Sequence, residues 1–241
     1  MKRILFLAAL ALAGCSKGDG ANNASAAPVA AAAAPAGKSW TETVVKTAEG
    51  AYILGNPDAP IKLVEYGSRL CPTCGAFGRE AMQPLENTYV ASGKVSYEFH
   101  DFLVHGVADL PPALLGRCVD PSAYFPVLEQ TFQNQQQFND KLQAMTPAQQ
   151  QQMQAMSPVQ VVAALADQMG VVDFMKQRGL PEAKARACLG DMAQIDALTK
   201  ATQEASAAGI TSTPTFMLNG KKLDNVVTWA QMEQALKAAG A

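Results

Sequence analysis

Residues 61–74 decide the fold, and they read Ile-Lys-Leu-Val-Glu-Tyr-Gly-Ser-Arg-Leu-Cys-Pro-Thr-Cys. The first seven alternate apolar and polar side chains within a β-prone run, which predicts a strand. A helical pattern opens at Cys71 and extends to about Val90, and residues 95–99 form a second β-prone run. Because the connections in this strand–helix–strand unit are short, we expect two parallel strands in an α/β sheet.

The two cysteines of this stretch have the spacing and the position of a redox pair. Cys71 lies where the helix begins, and the unpaired N–H groups and partial positive charge of a helix N-terminus favour a thiolate. Pro72 costs no hydrogen bond in the first helical turn. Cys74 lies one turn later on the same side. We therefore expect Cys71 to attack or be attacked by a substrate sulfur, and Cys74 to resolve the mixed disulfide.

Two other interpretations of the pair compete with this one. A zinc site needs a second pair of ligands, but Cys118 and Cys188 are isolated, and His100 and His105 do not have the HxxxH spacing. The sequence therefore predicts no metal site, and we expect no role for either histidine. An inert structural disulfide is disfavoured because the short spacing at a helix start leaves the bond strained and reachable. Thiol–disulfide exchange needs no cofactor beyond the cysteine pair itself.

The rest of the chain divides into a helical block and a return to strand. From about residue 107 to 209 the pattern is helical, with capping residues placed before prolines at Asp120-Pro121, Thr146-Pro147 and Ser157-Pro158. Phenylalanines between the glutamines of residues 130–154 indicate helices with polar outer faces. A strand at residues 215–218, an Asn-Gly turn and an amphipathic helix from Thr228 complete the order.

The N-terminus is typical of an exported protein. A positively charged start is followed by an apolar run over residues 4–13, which predicts a secretory signal. This run is much shorter than the ~20 residues that a membrane-spanning helix needs. Residues 12–15, Leu-Ala-Gly-Cys, resemble a bacterial lipobox, which implies a signal peptide at 1–14 and a lipid on Cys15. The alternative is an ordinary signal peptide. Ser16, in place of Asp, favours sorting to the outer membrane.

Composition separates a tether from a folded domain. Residues 15–38 consist mainly of Ala, Gly, Ser, Asn and Pro, which predicts a flexible tether. Residues 39–241 are enough for one core fold with an insertion. The net charge of the chain is −2 and no basic patch is evident, which excludes nucleic acid as an expected partner.

Downstream of the helical block, Thr213-Pro214-Thr215 completes a second signature. With Cys71-Pro72-Thr73-Cys74 it makes residues 51–239 resemble a DsbA-type member of the thioredoxin superfamily. The resemblance implies a thioredoxin fold with an all-helical domain inserted at about 107–209. It also implies that Pro214 is cis and packs against the two sulfurs, and that the Thr213 backbone pairs with an extended substrate peptide. The alternative is a trans proline at a strand start.

The same resemblance implies roles for further residues. Relatives carry an acidic residue beneath the active site, and Glu65 fits that position, although a solvated strand charge is the alternative. In several relatives a second disulfide ties the helical domain together, which implies a Cys118–Cys188 bridge rather than two buried free thiols. Thr73 stands where the strongly oxidising members have His. It brings no positive charge, so we expect a potential between that of a strong oxidant and that of thioredoxin.

The expected function follows from this resemblance. We expect a monomer in the periplasm that oxidises paired cysteines of newly exported, unfolded proteins and is regenerated by a membrane redox partner. The first alternative is a reductase or isomerase of the same fold. The second is a redox-inactive lipoprotein that binds peptides in the groove beside Pro214.

Overall fold

The computed structural model describes residues 26–241. The predicted signal peptide, Cys15 and the first part of the predicted tether lie outside the described residues. Six strands are formed by Val44–Lys46 (β1), Tyr52–Gly55 (β2), Ile61–Gly67 (β3), Val95–Asp101 (β4), Thr215–Leu218 (β5) and Lys221–Leu223 (β6). The α-helices are Pro72–Pro84 (α1), Leu110–Arg117 (α2), Tyr124–Gln143 (α3), Pro147–Gln154 (α4), Pro158–Met169 (α5), Val171–Lys176 (α6), Glu182–Leu189 (α7), Met192–Ala207 (α8) and Trp229–Ala238 (α9).

The strands form one mixed sheet in the order β1-β2-β4-β3-β5-β6. Strands β3 and β4 are parallel, with Ile61 opposite Val95 and Gly67 opposite Asp101. The other neighbouring strands are antiparallel. The predicted β3–α1–β4 unit is therefore confirmed, and it places the start of α1 beyond the carboxyl end of a central strand.

Helix α1 is shorter than the sequence pattern indicated. It begins after Cys71, with Pro72 in its first turn, and ends at Pro84. Residues Leu85–Val90 continue as a π-helical turn. Proline has no N–H to donate and its ring crowds the preceding turn, so the regular ladder changes at Pro84 although the apolar periodicity continues.

The hairpin of β1 and β2 was not predicted. Its strands contain only three and four residues, with Val44 opposite Leu54. Strands this short are hard to recognise because a period of two residues needs several repeats to show. The hairpin extends the sheet beyond β4, which β2 joins with Tyr52 opposite Phe99.

Two hydrophobic cores support the molecule. One lies between the sheet, α1, α3 and α9, and includes Phe77, Phe132 and Phe216. The other lies within α2 to α8, which correspond to the predicted insertion. At the contact between α1 and α3, a Cβ on Gly78 would overlap the ring of Phe132, so the glycine allows the two helices to pack closely. Among residues 26–241, no helix has the length and apolar character needed to cross a membrane.

Residues 26–32, which we call the N-terminal strap, lie against the domain although they belong to the predicted tether. Their N–H groups donate to the carbonyls of Ala238 (2.8 Å), Gly240 (2.8 Å) and Ser92 (3.0 Å). The indole of Trp40 donates to the Ala32 carbonyl at 2.7 Å. Residues 26–32 of the predicted tether are thus hydrogen-bonded to the domain, because their backbone finds carbonyl partners that composition cannot reveal.

Candidate active site

The two cysteines of the site differ in their accessibility. Cys71 caps α1 and is 7% exposed, whereas Cys74 is completely buried. Both are free thiols in this structure. The N–H of Cys71 donates to the Ser68 hydroxyl at 3.1 Å, and the N–H of Gly75 donates to the Cys71 carbonyl at 3.0 Å. The fold thus presents one sulfur toward the surface and keeps the other beneath it.

The electrostatic environments of the two sulfurs also differ. A hydrogen bond from the Cys74 thiol lowers the pKa of Cys71 to about 5, against the effect of burial, and Thr213 and the N–H groups of Cys74 and Thr73 act in the same direction. Burial raises the pKa of Cys74 well above its ordinary value, and Cys71 and Glu65 raise it further. The site therefore favours a thiolate at Cys71 and a neutral thiol at Cys74.

Thr213 and Pro214 come to the cysteines from a distant part of the sequence. The Thr213–Pro214 peptide bond is cis, and β5 begins at the next residue. In its protonated form the thiol of Cys71 donates to the Thr213 carbonyl at 3.4 Å, whereas the pKa of Cys71 is lowered by Cys74 and, to a lesser extent, by the Thr213 side chain. The structure thus brings together both signatures that the sequence analysis singled out.

Glu65 lies on β3 with no exposed surface. The hydroxyl of Tyr97 donates to its Oε2 at 2.7 Å, and its Oε1 has no hydrogen-bond partner among the described residues. Burial raises the pKa of Glu65 to about 8, although the Tyr97 hydrogen bond opposes this shift. The alternative of a solvated strand charge is wrong, because Glu65 shares the inward face of β3 with Ile61 and Leu63.

A network beside Cys71 was missed by the sequence analysis. The hydroxyl of Ser68, which accepts from the Cys71 N–H, donates to Asp109 Oδ1 at 2.6 Å and lies 3.3 Å from His105 Nδ1. The hydrogen bond to Asp109 raises the pKa of His105. His105 therefore lies beside the active-site loop, whereas His100 pairs with Glu98 at 2.6 Å. No local motif could reveal this network, because Ser68 lies 37 residues before His105 and joins the His105–Asp109 segment only in the fold.

A buried ionic cluster fixes the segment that leads to Cys71. Asp101 Oδ1 accepts from Arg69 Nε at 2.7 Å, and its Oδ2 accepts from Arg117 Nε at 2.9 Å and from the Tyr124 hydroxyl at 3.2 Å. Burial is the largest single effect and acts to raise the pKa of Asp101, but the charges and hydrogen bonds of Arg69 and Arg117 together outweigh it, so the pKa is lowered. The cluster joins β4, the loop before α1 and the insertion.

The remaining predicted cysteines lie apart from this site. Cys118 follows α2 and Cys188 lies on α7, and the structure brings their sulfurs into bonding contact, with Cα atoms 6.3 Å apart. This separation is compatible with a disulfide. Within residues 26–241, no cluster of three or more His, Cys, Asp or Glu side chains has a geometry that could hold a metal ion.

Comparison with known proteins agrees with this geometry. A family model described as thioredoxin matches residues 47–238. The chain belongs to the thioredoxin family. Among solved members of the thioredoxin fold, a protein-disulfide isomerase from Novosphingobium aromaticivorans is 31% identical, with a TM-score of 0.74 over 78% of this chain and 96% of that one. Wolbachia pipientis alpha-DsbA1 is 20% identical, with a TM-score of 0.61 over 78% and 89%, which shows a shared fold.

Curated relatives of this thioredoxin-family chain carry related names. Disulfide bond formation protein D of Bacillus subtilis is 29% identical over 90 residues, which are 36% of this chain and 40% of that protein. A putative protein-disulfide oxidoreductase of Rickettsia prowazekii is 24% identical over 189 residues, 77% of this chain and 60% of that protein. The chain thus spans 40 to 60% of the length of these two relatives. The predicted DsbA-like fold with a helical insertion is confirmed, and the names agree with the predicted enzyme class, thiol–disulfide oxidoreductase.

Proposed function

We propose that this chain oxidises paired cysteines in exported proteins of the cell envelope. The observation that carries the proposal is the contrast between its two active-site sulfurs. Cys71 is partly accessible with a pKa lowered to about 5, and Cys74 is fully buried with a raised pKa. A pKa of about 5 lies between the values of roughly 3.5 for DsbA and roughly 7 for thioredoxin. It supports a moderately oxidising couple, because a stable thiolate stabilises the reduced enzyme.

The reaction begins with the oxidised enzyme, in which Cys71 and Cys74 share a disulfide. A substrate thiolate attacks Cys71 Sγ, a substrate–Cys71 bond forms, and Cys74 leaves with the electron pair of the broken bond. A second substrate thiolate then attacks the substrate sulfur and releases Cys71 as a thiolate. The substrate loses two electrons and gains a disulfide, while the enzyme is reduced by two electrons.

Glu65 is placed to relay the proton that the leaving Cys74 needs, through one water, since the two side chains share no direct hydrogen bond. A thiolate at this fully buried position is costly, and the pKa of Cys74 is raised well above that of Glu65, which is about 8. At neutral pH most of the Glu65 carboxyl groups are protonated, so proton transfer to Cys74 is favourable. Cys71 needs no such proton, because its thiolate is stable at neutral pH.

The remaining parts of the proposal rest mainly on the sequence. The lipid on Cys15 would hold the protein at a membrane of the periplasm, where a membrane redox partner would reoxidise the cysteine pair. Thr213 and Pro214 would receive an extended, unfolded substrate. The contact between Cys118 and Cys188 supports a structural disulfide in the insertion.

A second candidate function is disulfide isomerisation. It is favoured by the solved relative from Novosphingobium aromaticivorans, which is described as a protein-disulfide isomerase and is 31% identical. An isomerase works from its reduced form, in which Cys71 attacks a wrong substrate disulfide and the rearranged substrate later releases it. Isomerisation would use the same two cysteines as oxidation. The two functions must therefore be separated by the equilibrium potential of the cysteine pair and by activity assays.

The test compares three activities of the purified full-length protein: oxidation of a reduced unfolded protein, reduction of insulin, and rearrangement of a scrambled disulfide protein. We expect oxidation to dominate, Cys71→Ser to abolish it, and Cys74→Ser to accumulate a mixed disulfide between Cys71 and substrate. Rearrangement faster than oxidation would favour the isomerase.

The lipid anchor is tested separately. Radiolabelled lipid should enter the wild type and not Cys15→Ala. An unlabelled wild type would exclude the anchor.

A further inference from the structure

Side-chain amides of the helical insertion hold the backbone that leads into the active site. The carbonyls of three consecutive residues, Arg69, Leu70 and Cys71, each accept a hydrogen bond from helix α3. Gln135 Nε2 donates to the Arg69 carbonyl at 3.0 Å and to the Cys71 carbonyl at 2.7 Å. Asn139 Nδ2 donates to the Leu70 carbonyl at 3.0 Å. These contacts connect the insertion with the cysteine that caps α1.

The position of Gln135 is unusual within its helix. It is 3% exposed, whereas Gln133, Gln136 and Gln137 are exposed. Burying an amide is unfavourable unless it forms hydrogen bonds, so a glutamine on the buried face of α3 depends on its carbonyl partners. Gly75 of α1 leaves the space that this side chain occupies, since a Cβ there would overlap the Gln135 amide. The two helices thus accommodate a buried donor next to Cys71.

The contacts constrain the conformation of Cys71. Its φ of −70° and ψ of 118° are extended, which turns the chain from the loop into α1. Its carbonyl accepts from both the Gly75 N–H and Gln135. Without the amide, this carbonyl would lose its contact with α3, and the residue could rotate relative to the N–H groups at the start of α1. The positively polarised amide hydrogen of Gln135 also offsets part of the field that this carbonyl oxygen exerts at the nearby sulfur.

We propose that Gln135, assisted by Asn139, is a positioning residue that holds Cys71 against the start of α1 and thereby lets the helical insertion set the reactivity of the cysteine pair. This role rests on the proposed function, because it matters only where Cys71 exchanges disulfides. It follows that the insertion contributes to the redox chemistry besides packing against α1. Gln135 forms its hydrogen bonds with backbone carbonyls and not with the sulfurs, so it acts through the backbone of Cys71.

The test uses Gln135→Met, which keeps the length of the side chain and removes its donor, in the full-length protein. Gln137→Met is the matched control, since Gln137 is exposed on the same helix. We expect Gln135→Met to make the couple about fivefold less oxidising in equilibrium with glutathione, the effect of losing about one buried hydrogen bond. The pH midpoint of Cys71 alkylation should rise with it. Gln137→Met should match the wild type in both measurements.

Three results decide whether Gln135 positions Cys71. A folded Gln135→Met with the wild-type equilibrium constant and alkylation midpoint overturns the role. If Gln135→Met does not fold, the half-buried Asn139 is replaced by Leu, and a shift in the same direction supports the role, whereas no shift overturns it. A wild type whose cysteine pair does not exchange with glutathione at all overturns the proposed function and this role with it, which distinguishes that failure from the first.

Discussion

Glu65→Gln should change how stability depends on pH. The wild-type carboxyl has its pKa raised by burial from an ordinary 4.5 to about 8. Between these values the folded protein binds a proton that the unfolded chain has released, so the stability of the wild type falls as pH rises. Burial of the carboxyl group therefore lowers the free energy of unfolding of the wild type by about 1 kcal/mol at pH 5 and by about 4 kcal/mol at pH 8. Glutamine carries no such charge, so it lacks this penalty at every pH.

We therefore expect the stability of Glu65→Gln relative to the wild type to increase by roughly 3 kcal/mol from pH 5 to pH 8. Any constant cost of the amide's own contacts cancels in this comparison. Urea unfolding at four pH values measures it, with both proteins oxidised so that Cys71 and Cys74 do not titrate. Glu182→Gln is the control. Lys176 lowers the pKa of this exposed carboxyl, so its contribution to stability is fully present above pH 4.5. The difference in stability between Glu182→Gln and the wild type should therefore not change between pH 5 and pH 8. A flat difference for Glu65→Gln would show that its carboxyl is solvated.

Three further predictions concern the site and its support. Alkylation of Cys71 in the reduced protein should reach half its maximal rate near pH 5, and a midpoint near that of a free thiol, about 8.5, would contradict the proposed thiolate. Thr73→His should place positive charge beside that thiolate and make the couple about tenfold more oxidising against glutathione; an unchanged equilibrium constant would show that this position does not tune the pair. Asp101→Asn should leave Arg69 with no buried counter-charge and cost about 3 to 5 kcal/mol in urea unfolding, and a loss below about 1 kcal/mol would mean that water reaches the cluster.

The parts of the fold that were predictable depend on local patterns. Strand β3 was predicted with its observed ends because seven residues alternate and a helix start follows. The burial of Glu65 was left open, although the same alternation places it on the face of Ile61 and Leu63. The apolar face of α3 likewise includes Gln135, three residues from both Phe132 and Phe138. In both cases the spacing of the apolar residues predicts that the polar side chain is buried. The polarity of Glu65 and of Gln135 argued against that prediction.

Other parts of the site could not be predicted from one sequence. His105 and Asp109 belong to one segment after β4, but Ser68 follows β3, and no spacing rule relates it to them because only the sheet brings the two segments together. The strap depends on backbone hydrogen bonds, which are independent of side-chain identity except where Gly93 and Gly240 leave room for it. Such contacts become visible only in three dimensions.

The strap lies at the end of the sheet opposite the active site. The strap meets the domain at Ser92, ahead of β4, and at Ala238, the last residue of α9. Cys71 follows the opposite, carboxyl end of β3, and seven residues of strand span roughly 20 Å. If a membrane holds the chain by its N-terminus, the end of the described strap from which the tether leaves would lie on the side of the domain opposite the cysteines. Substrates and a redox partner would then reach the cysteines at the end of the sheet farthest from this attachment.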